Sequence, residues 1–405
     1  MYIIYRIIIG VLIKWRYCFF KRDKSIWVFG EWFGDRCVDN CLYLANYIAK
    51  EYPDISVYWI ATKDADTKLL NKRIQVIKRG SVFAHRILKR ASVAVVGQGF
   101  IDLDEKGYNY YGNAITLILW HGIPWKRIGH DGSKENSVIY KLYTKIYDYA
   151  YGTSYILSPS GEFDKVARTA FGIDNRNIIK AGYPRNSVLY DKHEIERRRK
   201  SVLDEIGWTD HTSRVIVYMP TFRNTSRKYD IGKLCSNDFF INYIERNNII
   251  VIQKAHFVSA NRGEMDYENS NPRFINNNSL DAQSLLCTAD LLITDYSGCF
   301  FDYSLLDRPI VHYIYDYDVY KNEDRGLYYD KDEVMFGTES RTEQELVDAI
   351  ILNIENPALE HEKRNKMKTR YLNYEDNNSC QKIAEYLKRK LDNRVLLLNH
   401  DQDFV

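Results

Sequence analysis

From residue 25 onward, short apolar runs alternate with stretches whose apolar residues recur at helical spacing. The runs predict strands at Ser25–Gly30, Ser56–Ala61, Ser92–Gly97, Thr116–Trp120, Tyr155–Ser158 and Ile178–Ala181. Between them, helices are predicted at Asn40–Tyr52, Ser81–Arg90, Asn136–Tyr149 and Gly161–Phe171. Strands that alternate with helices need crossover connections, and therefore a parallel sheet. A charged helical run at His193–Ile206 interrupts the series, which restarts with strands at Arg214–Met219, Ile249–Lys254, Asp290–Thr294 and Pro309–Tyr313. Helices at Glu343–Ile354, His361–Tyr374 and Cys380–Leu391 follow. The pattern predicts two α/β units, residues 25–192 and 193–375, with a helix and tail over 376–405. At 405 residues, the chain is also longer than one hydrophobic core usually supports.

Residues 1–24 differ from the rest. The segment MYIIYRIIIGVLIKWRYCFF is apolar but broken by Arg6, Lys14 and Arg16. It falls short of the roughly 20 uninterrupted apolar residues that a membrane span needs, and no small-residue cleavage site follows it. Taken as one helix, it places Arg6, Lys14, Arg16 and Lys21 on one arc and Ile, Leu, Val and aromatic residues on much of the remainder. Such a helix lies in a headgroup region with its cations on anionic lipid. A buried first element of the fold and a single membrane span are the competing readings. The expectation is peripheral attachment at the cytoplasmic face of a membrane.

Charge supports this division. The whole chain has 57 Lys and Arg against 54 Asp and Glu, a net charge of +3. Six of the cations (Arg6, Lys14, Arg16, Lys21, Arg22 and Lys24) lie in the first 24 residues beside a single acid, Asp23. The basic excess is thus confined to the start, and aromatics are not interleaved with a basic patch, so no nucleic-acid partner is expected. Seven scattered cysteines without a C-x-x-C pair read as packing thiols in a reducing compartment. Gly97-Gln98-Gly99 lacks the third glycine of a dinucleotide fingerprint. Asp-x-Asp triplets at 64–66, 102–104, 316–318, 330–332 and 401–403 are too dispersed to define a metal site, and none is predicted.

In open parallel sheets, ligands bind beyond the carboxyl ends of the strands. The unusual residues cluster there. Thr116–Trp120 runs into His121-Gly122-Ile123-Pro124-Trp125-Lys126, and Ile178–Ala181 into Gly182-Tyr183-Pro184-Arg185-Asn186. Arg214–Met219 leads to Pro220-Thr221-Phe222-Arg223, Ile249–Gln253 to Lys254-Ala255-His256, and Asp290–Thr294 to Asp295-Tyr296-Ser297-Gly298. Cationic or imidazole groups after strands of both halves predict a cleft that takes an anion. Ser297 and Gly298 would open a helix Cys299–Leu306, whose free N–H groups suit phosphate. Capping of that helix by Asp295 or Ser297 is the plainer alternative.

This ordered set, extended by Phe301-Asp302-Tyr303, Arg308-Pro309-Ile310 and Asp324-Arg325-Gly326, resembles the CDP-glycerol glycerophosphotransferase family over roughly residues 90–375. These are polyol-phosphate transferases of teichoic-acid and capsule synthesis. The resemblance implies a GT-B architecture, two Rossmann-like domains with parallel sheets facing a central cleft. It also implies transfer of glycerol phosphate from CDP-glycerol to a hydroxyl of a membrane-bound glycan or glycerol-phosphate acceptor, with release of CMP and no cofactor.

Carried over by motif, His121 resembles the family's candidate base on the acceptor, and His256 its second important histidine, near the donor pyrophosphate. Ser297 and Gly298 match the donor phosphate site, with Arg223, Arg325 and Lys254 around the same phosphates. Asp295, Arg185, Asn186, Thr221 and Lys126 complete the expected cleft. The sequence departs from the family pattern at Phe257, where Pro is frequent, at Gly298, where a second Ser is frequent, and at Ser187, where Asp is frequent. Three other readings stand: a CDP-ribitol-using transferase, a GT-B glycosyltransferase acting on a nucleotide-sugar, and a catalytically silent membrane scaffold.

Overall fold

The computed structural model describes every residue except Met1, 18–19, 105–109, 133–143, 146–153, 222–228, 255–270, 323–325 and 401–405. The chain forms two compact units. One comprises Met1–His121, Ile128–Ser187 and Asn373–Val405, the other Gly122–Arg127 and Val188–Leu372.

The first unit is built on seven parallel strands: β1 (Asp23–Gly30), β2 (Ser56–Ala61), β3 (Gln75–Lys78), β4 (Ala91–Val96), β5 (Ile115–Ile118), β6 (Tyr155–Ser158) and β7 (Ile178–Lys180). Their order is β3-β2-β1-β4-β5-β6-β7. Trp27 of β1 is in register with Val57 of β2 and Val93 of β4. β4 is buried throughout and β1 from Ile26 to Gly30, since helices cover both faces of such a sheet. Ser81 and Ser160 begin the helices Val82–Arg90 and Gly161–Ala170 by accepting from the amides of Ala84 and Phe163.

The second unit holds six parallel strands: β8 (Arg214–Met219), β9 (Ile249–Gln253), β10 (Phe274–Asn276), β11 (Leu291–Thr294), β12 (Ile310–Tyr313) and β13 (Thr338–Ser340). Their order is β10-β9-β8-β11-β12-β13. Phe240, Ile244, Leu346 and Ile350, from the helices Asp238–Arg246 and Glu343–Glu355, share a buried cluster with Ile216, Val251, Ile293 and Val311 of the sheet. Two parallel-sheet α/β units form the GT-B class of fold that the family resemblance implies.

The strands that the apolar pattern missed are β3, β10 and β13, all at sheet edges. Each has three or four residues, only one of them buried, so no apolar run marks it. The charged helix Lys192–Glu205 belongs wholly to the second unit, where Arg198 reaches Asp281 and Ser284, and Arg199 reaches Asp290. Residues 373–400, read from sequence partly as the end of the second unit and partly as a tail, pack in the first. The long helix Ser379–His400 buries Cys380, Ile383, Ala384, Leu387 and Leu391, one stripe at helical spacing, and contacts the helix Asp39–Glu51.

The amino-terminal helix spans Tyr2–Tyr17. It ends before Lys21, which therefore does not share the arc of Arg16 expected from an unbroken helix. Arg22 turns inward, donating to the carbonyls of Leu88, Ala91 and Tyr17, and Lys24 pairs with Asp392. No helix among the described residues is long and apolar enough to cross a membrane. The described cysteines are free thiols, and burial pushes those of Cys37, Cys287 and Cys380 up to about 12.

Candidate functional site

In the first unit the sequence reverses direction across the sheet between β1 and β4, the position where open sheets open a crevice. Acidic side chains of the chain itself occupy this point. Asp102 Oδ2 accepts from the amides of Gly97, Gln98 and Gly99 at 3.1, 2.8 and 3.2 Å, and its Oδ1 from Phe33 at 2.8 Å. The Gly97-Gln98-Gly99 loop is thus an anion nest whose anion is internal. Glu31 lies against Gly97, fully buried. Burial, with Asp39 and Asp102 nearby, holds its carboxyl well above the usual range. The amides that could bind a phosphate here are already taken by Asp102.

One strand further on, β5 delivers Trp120 and His121. Trp120 has φ +58° and Gly122 φ +137°, so the backbone on either side of His121 lies where L side chains are rare. Only glycine takes the second of these without strain. His121 is half-buried between the rings of Trp120 and Trp32, at centroid distances of 4.2 and 6.0 Å. Its carbonyl accepts from Arg185 Nη1 at 3.0 Å, and the Trp120 carbonyl accepts from Asn40 Nδ2 at 2.8 Å.

The loop after β7 has a structural task. Glu375 Oε1 accepts from the Tyr183 amide at 2.9 Å and from Asn186 Nδ2 at 3.0 Å. Asn186 is thus a buried anchor for the returning chain. Arg185 is also buried, 2.6 Å from Asp39 Oδ1. Ser187, where the motif often carries Asp, donates to the Pro184 carbonyl.

In the second unit the reversal falls between β8 and β11. Thr221 follows the first of these strands and Asp295 the second. Asp295 Oδ1 accepts from the Thr221 amide at 2.8 Å and also from the Tyr296 amide, while Thr294 Oγ1 donates to the Met219 carbonyl at 2.7 Å. These bonds lock the two strand ends together. Lys254, at the end of β9, donates Nζ to the Asn278 carbonyl at 2.8 Å.

Ser297 and Gly298 are partly exposed and precede the helix Cys299–Tyr303, whose N-terminus has no side-chain cap. The helix is shorter than expected. Residues Ser304–Leu306 continue it as a 3-10 turn, and five α-helical residues give only a small dipole. Thr294 Oγ1 lies 3.7 Å from the Cys299 thiol.

Lys126 belongs to the second unit. It bridges Leu327 in antiparallel fashion, Tyr328 donates its amide to the Trp125 carbonyl, and Trp125 Nε1 donates to the Tyr329 carbonyl. Its ammonium sits 3.9 Å from the ring of Tyr320, which stacks on Tyr296 with centroids 3.7 Å apart. Tyr296 in turn donates to Asp316 at 2.9 Å. An aromatic cluster beside Ser297 and Gly298 results. Of its members, Tyr320 left no signal in the sequence, because 33 tyrosines are spread along the chain. Asp39 and Asn40 were missed because neither sits in a recognisable motif, and Asp102 was read only as part of one of several dispersed Asp-x-Asp triplets. His256, Arg223 and Arg325 lie outside the described residues.

The chain matches the family model for CDP-glycerol:poly(glycerophosphate) glycerophosphotransferase over residues 11–389. The chain belongs to this family. Family membership extends beyond the stretch 90–375 that carries the motifs and takes in the first sheet and the returning helix. Within the family, the chain is 28% identical over 245 residues to the teichoic acid poly(glycerol phosphate) polymerase of Bacillus spizizenii, covering 59% of this chain and 61% of that protein. The chain thus spans about three fifths of that polymerase's length. It is 25% identical to the teichoic acid glycerol-phosphate transferase of Staphylococcus aureus, covering 90% of this chain and 92% of that one. In fold it is similar to the solved wall teichoic acid polymerase TagF, with a TM-score of 0.79 at 21% identity over 95% of this chain and 94% of that one.

Proposed function

We propose that this member of the family transfers glycerol phosphate from CDP-glycerol to a hydroxyl of a membrane-bound polymer or lipid-linked saccharide in teichoic-acid or capsule synthesis. Family membership with the motif residues at strand carboxyl ends is the observation that carries this reading. The acceptor oxygen attacks the phosphorus that bears glycerol, the bond from that phosphorus to the bridging oxygen breaks, and CMP leaves with that oxygen. Such a transfer needs positioning and charge stabilisation more than covalent chemistry. His121 takes the hydroxyl proton. Ser297, Gly298, Lys254, Arg223, Arg325 and His256 hold the diphosphate, with Thr221, Asp295 and Lys126 shaping their surroundings. Asp102 already takes the Gly97, Gln98 and Gly99 amides at the reversal point of the first sheet, which supports donor binding by the second unit. No metal or other cofactor enters the step.

The same reading places the chain at the cytoplasmic face of the membrane through its first helix. Ile8, Leu12 and Trp15, one stripe at i, i+4 and i+7, are 53%, 59% and 63% exposed, and Arg16 is exposed beside them.

The test is CMP release by purified protein given CDP-glycerol, CDP-ribitol or a UDP-sugar, each with a membrane-extract acceptor and with or without EDTA. The expected result is EDTA-insensitive CMP release from CDP-glycerol, lowered about 10²–10⁴-fold by His121→Ala. Release from CDP-ribitol alone, consumption of a UDP-sugar, or binding without release would each replace this reading with the corresponding rival.

A further inference from the structure

The turn that carries His121 is held by side chains from two distant parts of the first unit. A backbone that departs from ordinary dihedrals on both sides of one residue persists only where its surroundings over-determine it. Here the two successive carbonyls, of Trp120 and His121, each accept from a buried side chain: Asn40 Nδ2 at 2.8 Å and Arg185 Nη1 at 3.0 Å. These two donors are themselves tied. The Arg185 amide donates to Asn40 Oδ1 at 3.2 Å, and Arg185 Nη1 lies 2.6 Å from Asp39 Oδ1. Asp39 has φ +61°, so the first residue of its helix is bent to meet the guanidinium. Asp39, Asn40 and Arg185 thus close a ring around two peptide oxygens, and the cation is engaged by a carboxylate and a carbonyl inside the fold.

We propose that Asn40 and Arg185, with Asp39 as counter-ion, are positioning residues that set the direction of the His121 imidazole. The inference rests on the reading of His121 as the base. Rotation of either held peptide would swing the ring, whereas the donor phosphates need not touch these residues at all. A misplacement of about 1 Å in such a group costs on the order of 10²-fold in rate. The pairing also gives the Pro184-Arg185-Asn186 motif a role that its charge alone does not suggest. Arg185 serves the histidine, and Asn186 anchors Glu375.

Two variants test this, Asn40→Asp, which keeps the acceptor for the Arg185 amide but removes the donor to Trp120, and Arg185→Ala. Both are compared with wild type in thermal stability, kcat and KM for CDP-glycerol, and the His121 side-chain resonance in protein labelled at histidine. The resonance is assigned with His121→Gln. Each variant is expected to lose about 10²-fold in kcat with KM changed less than about threefold, and to shift the His121 resonance. Added guanidinium is expected to restore part of both signals in Arg185→Ala. A folded variant with wild-type kcat and an unmoved resonance overturns the proposal, as does a rise in KM with the resonance unmoved, which would make Arg185 a donor ligand. If Arg185→Ala does not fold, the near-isosteric Asn40→Asp decides. If His121→Ala keeps full turnover, the base reading fails, yet the resonance still shows whether Asn40 and Arg185 set the pose of His121.

Discussion

Glu375 sits where a side chain on Gly182 would have to go: a Cβ at that position would lie 2.2 Å from Glu375 Oε2 and 2.8 Å from its Cα. The returning chain and the loop after β7 are therefore fitted to each other at backbone distance. Gly182→Ala should cost roughly 1–3 kcal/mol through overpacking. The loss should be local first. Hydrogen exchange in the helix Ser379–His400 is expected to accelerate before that of β1 and β4, and uniform acceleration would count against this coupling.

Asp102 offers a second test. Its Oδ2 faces three amide donors, so Asp102→Asn would turn an acceptor into a mixed donor–acceptor group against the same N–H groups. Loss of charge-assisted bonds and a buried unsatisfied donor together predict destabilisation of about 3 kcal/mol. Urea denaturation measures it. A neutral result would mean that the loop finds another anion.

The stability of the second unit should depend on pH through His312. This residue is fully buried against Phe300 and Phe336, and desolvation lowers its imidazole from 6.5 to about 4, opposed by the Asp295 carbonyl. The folded state therefore binds this proton more weakly than the unfolded chain does. Its contribution is complete above about pH 6.5 and is lost as pH falls toward 4, by on the order of 3 kcal/mol. His312→Gln should flatten the stability profile in that window. An unchanged slope would place the dependence elsewhere.

The stripe Ile8, Leu12 and Trp15 should govern partition onto vesicles containing anionic lipid. Leu12→Asp is expected to weaken partition at least about tenfold, since it removes apolar area and adds a repelled charge. Sedimentation with vesicles reads this directly. Equal binding by wild type and variant would show that the stripe is not what meets the bilayer.

How much of this was legible in the sequence follows from the kind of signal each part left. The alternation of apolar runs with helical stretches determined two parallel α/β units, because central strands of such sheets must be apolar on both faces. Strand-end motifs likewise marked His121, Thr221, Asp295 and Ser297, since residues at strand ends are fixed by the strands before them. The edge strands β3, β10 and β13 were silent, because their half-exposed residues leave no hydrophobic period.

Tertiary structure alone decided the tasks of several polar groups. Arg185 reads as a cation for an anionic ligand until Asp39, 146 positions away, is found beside it. Gly97-Gln98-Gly99 reads as a failed fingerprint until Asp102 fills its amides. The apolar stripe of the helix Ser379–His400 announced that it would be buried, but not that its partner would be the helix Asp39–Glu51. Hydrophobic pattern is a property of neighbours along the chain, and sequence carries it in full. Hydrogen-bond and charge partners are chosen across the fold, by geometry that exists only once the sheets have formed.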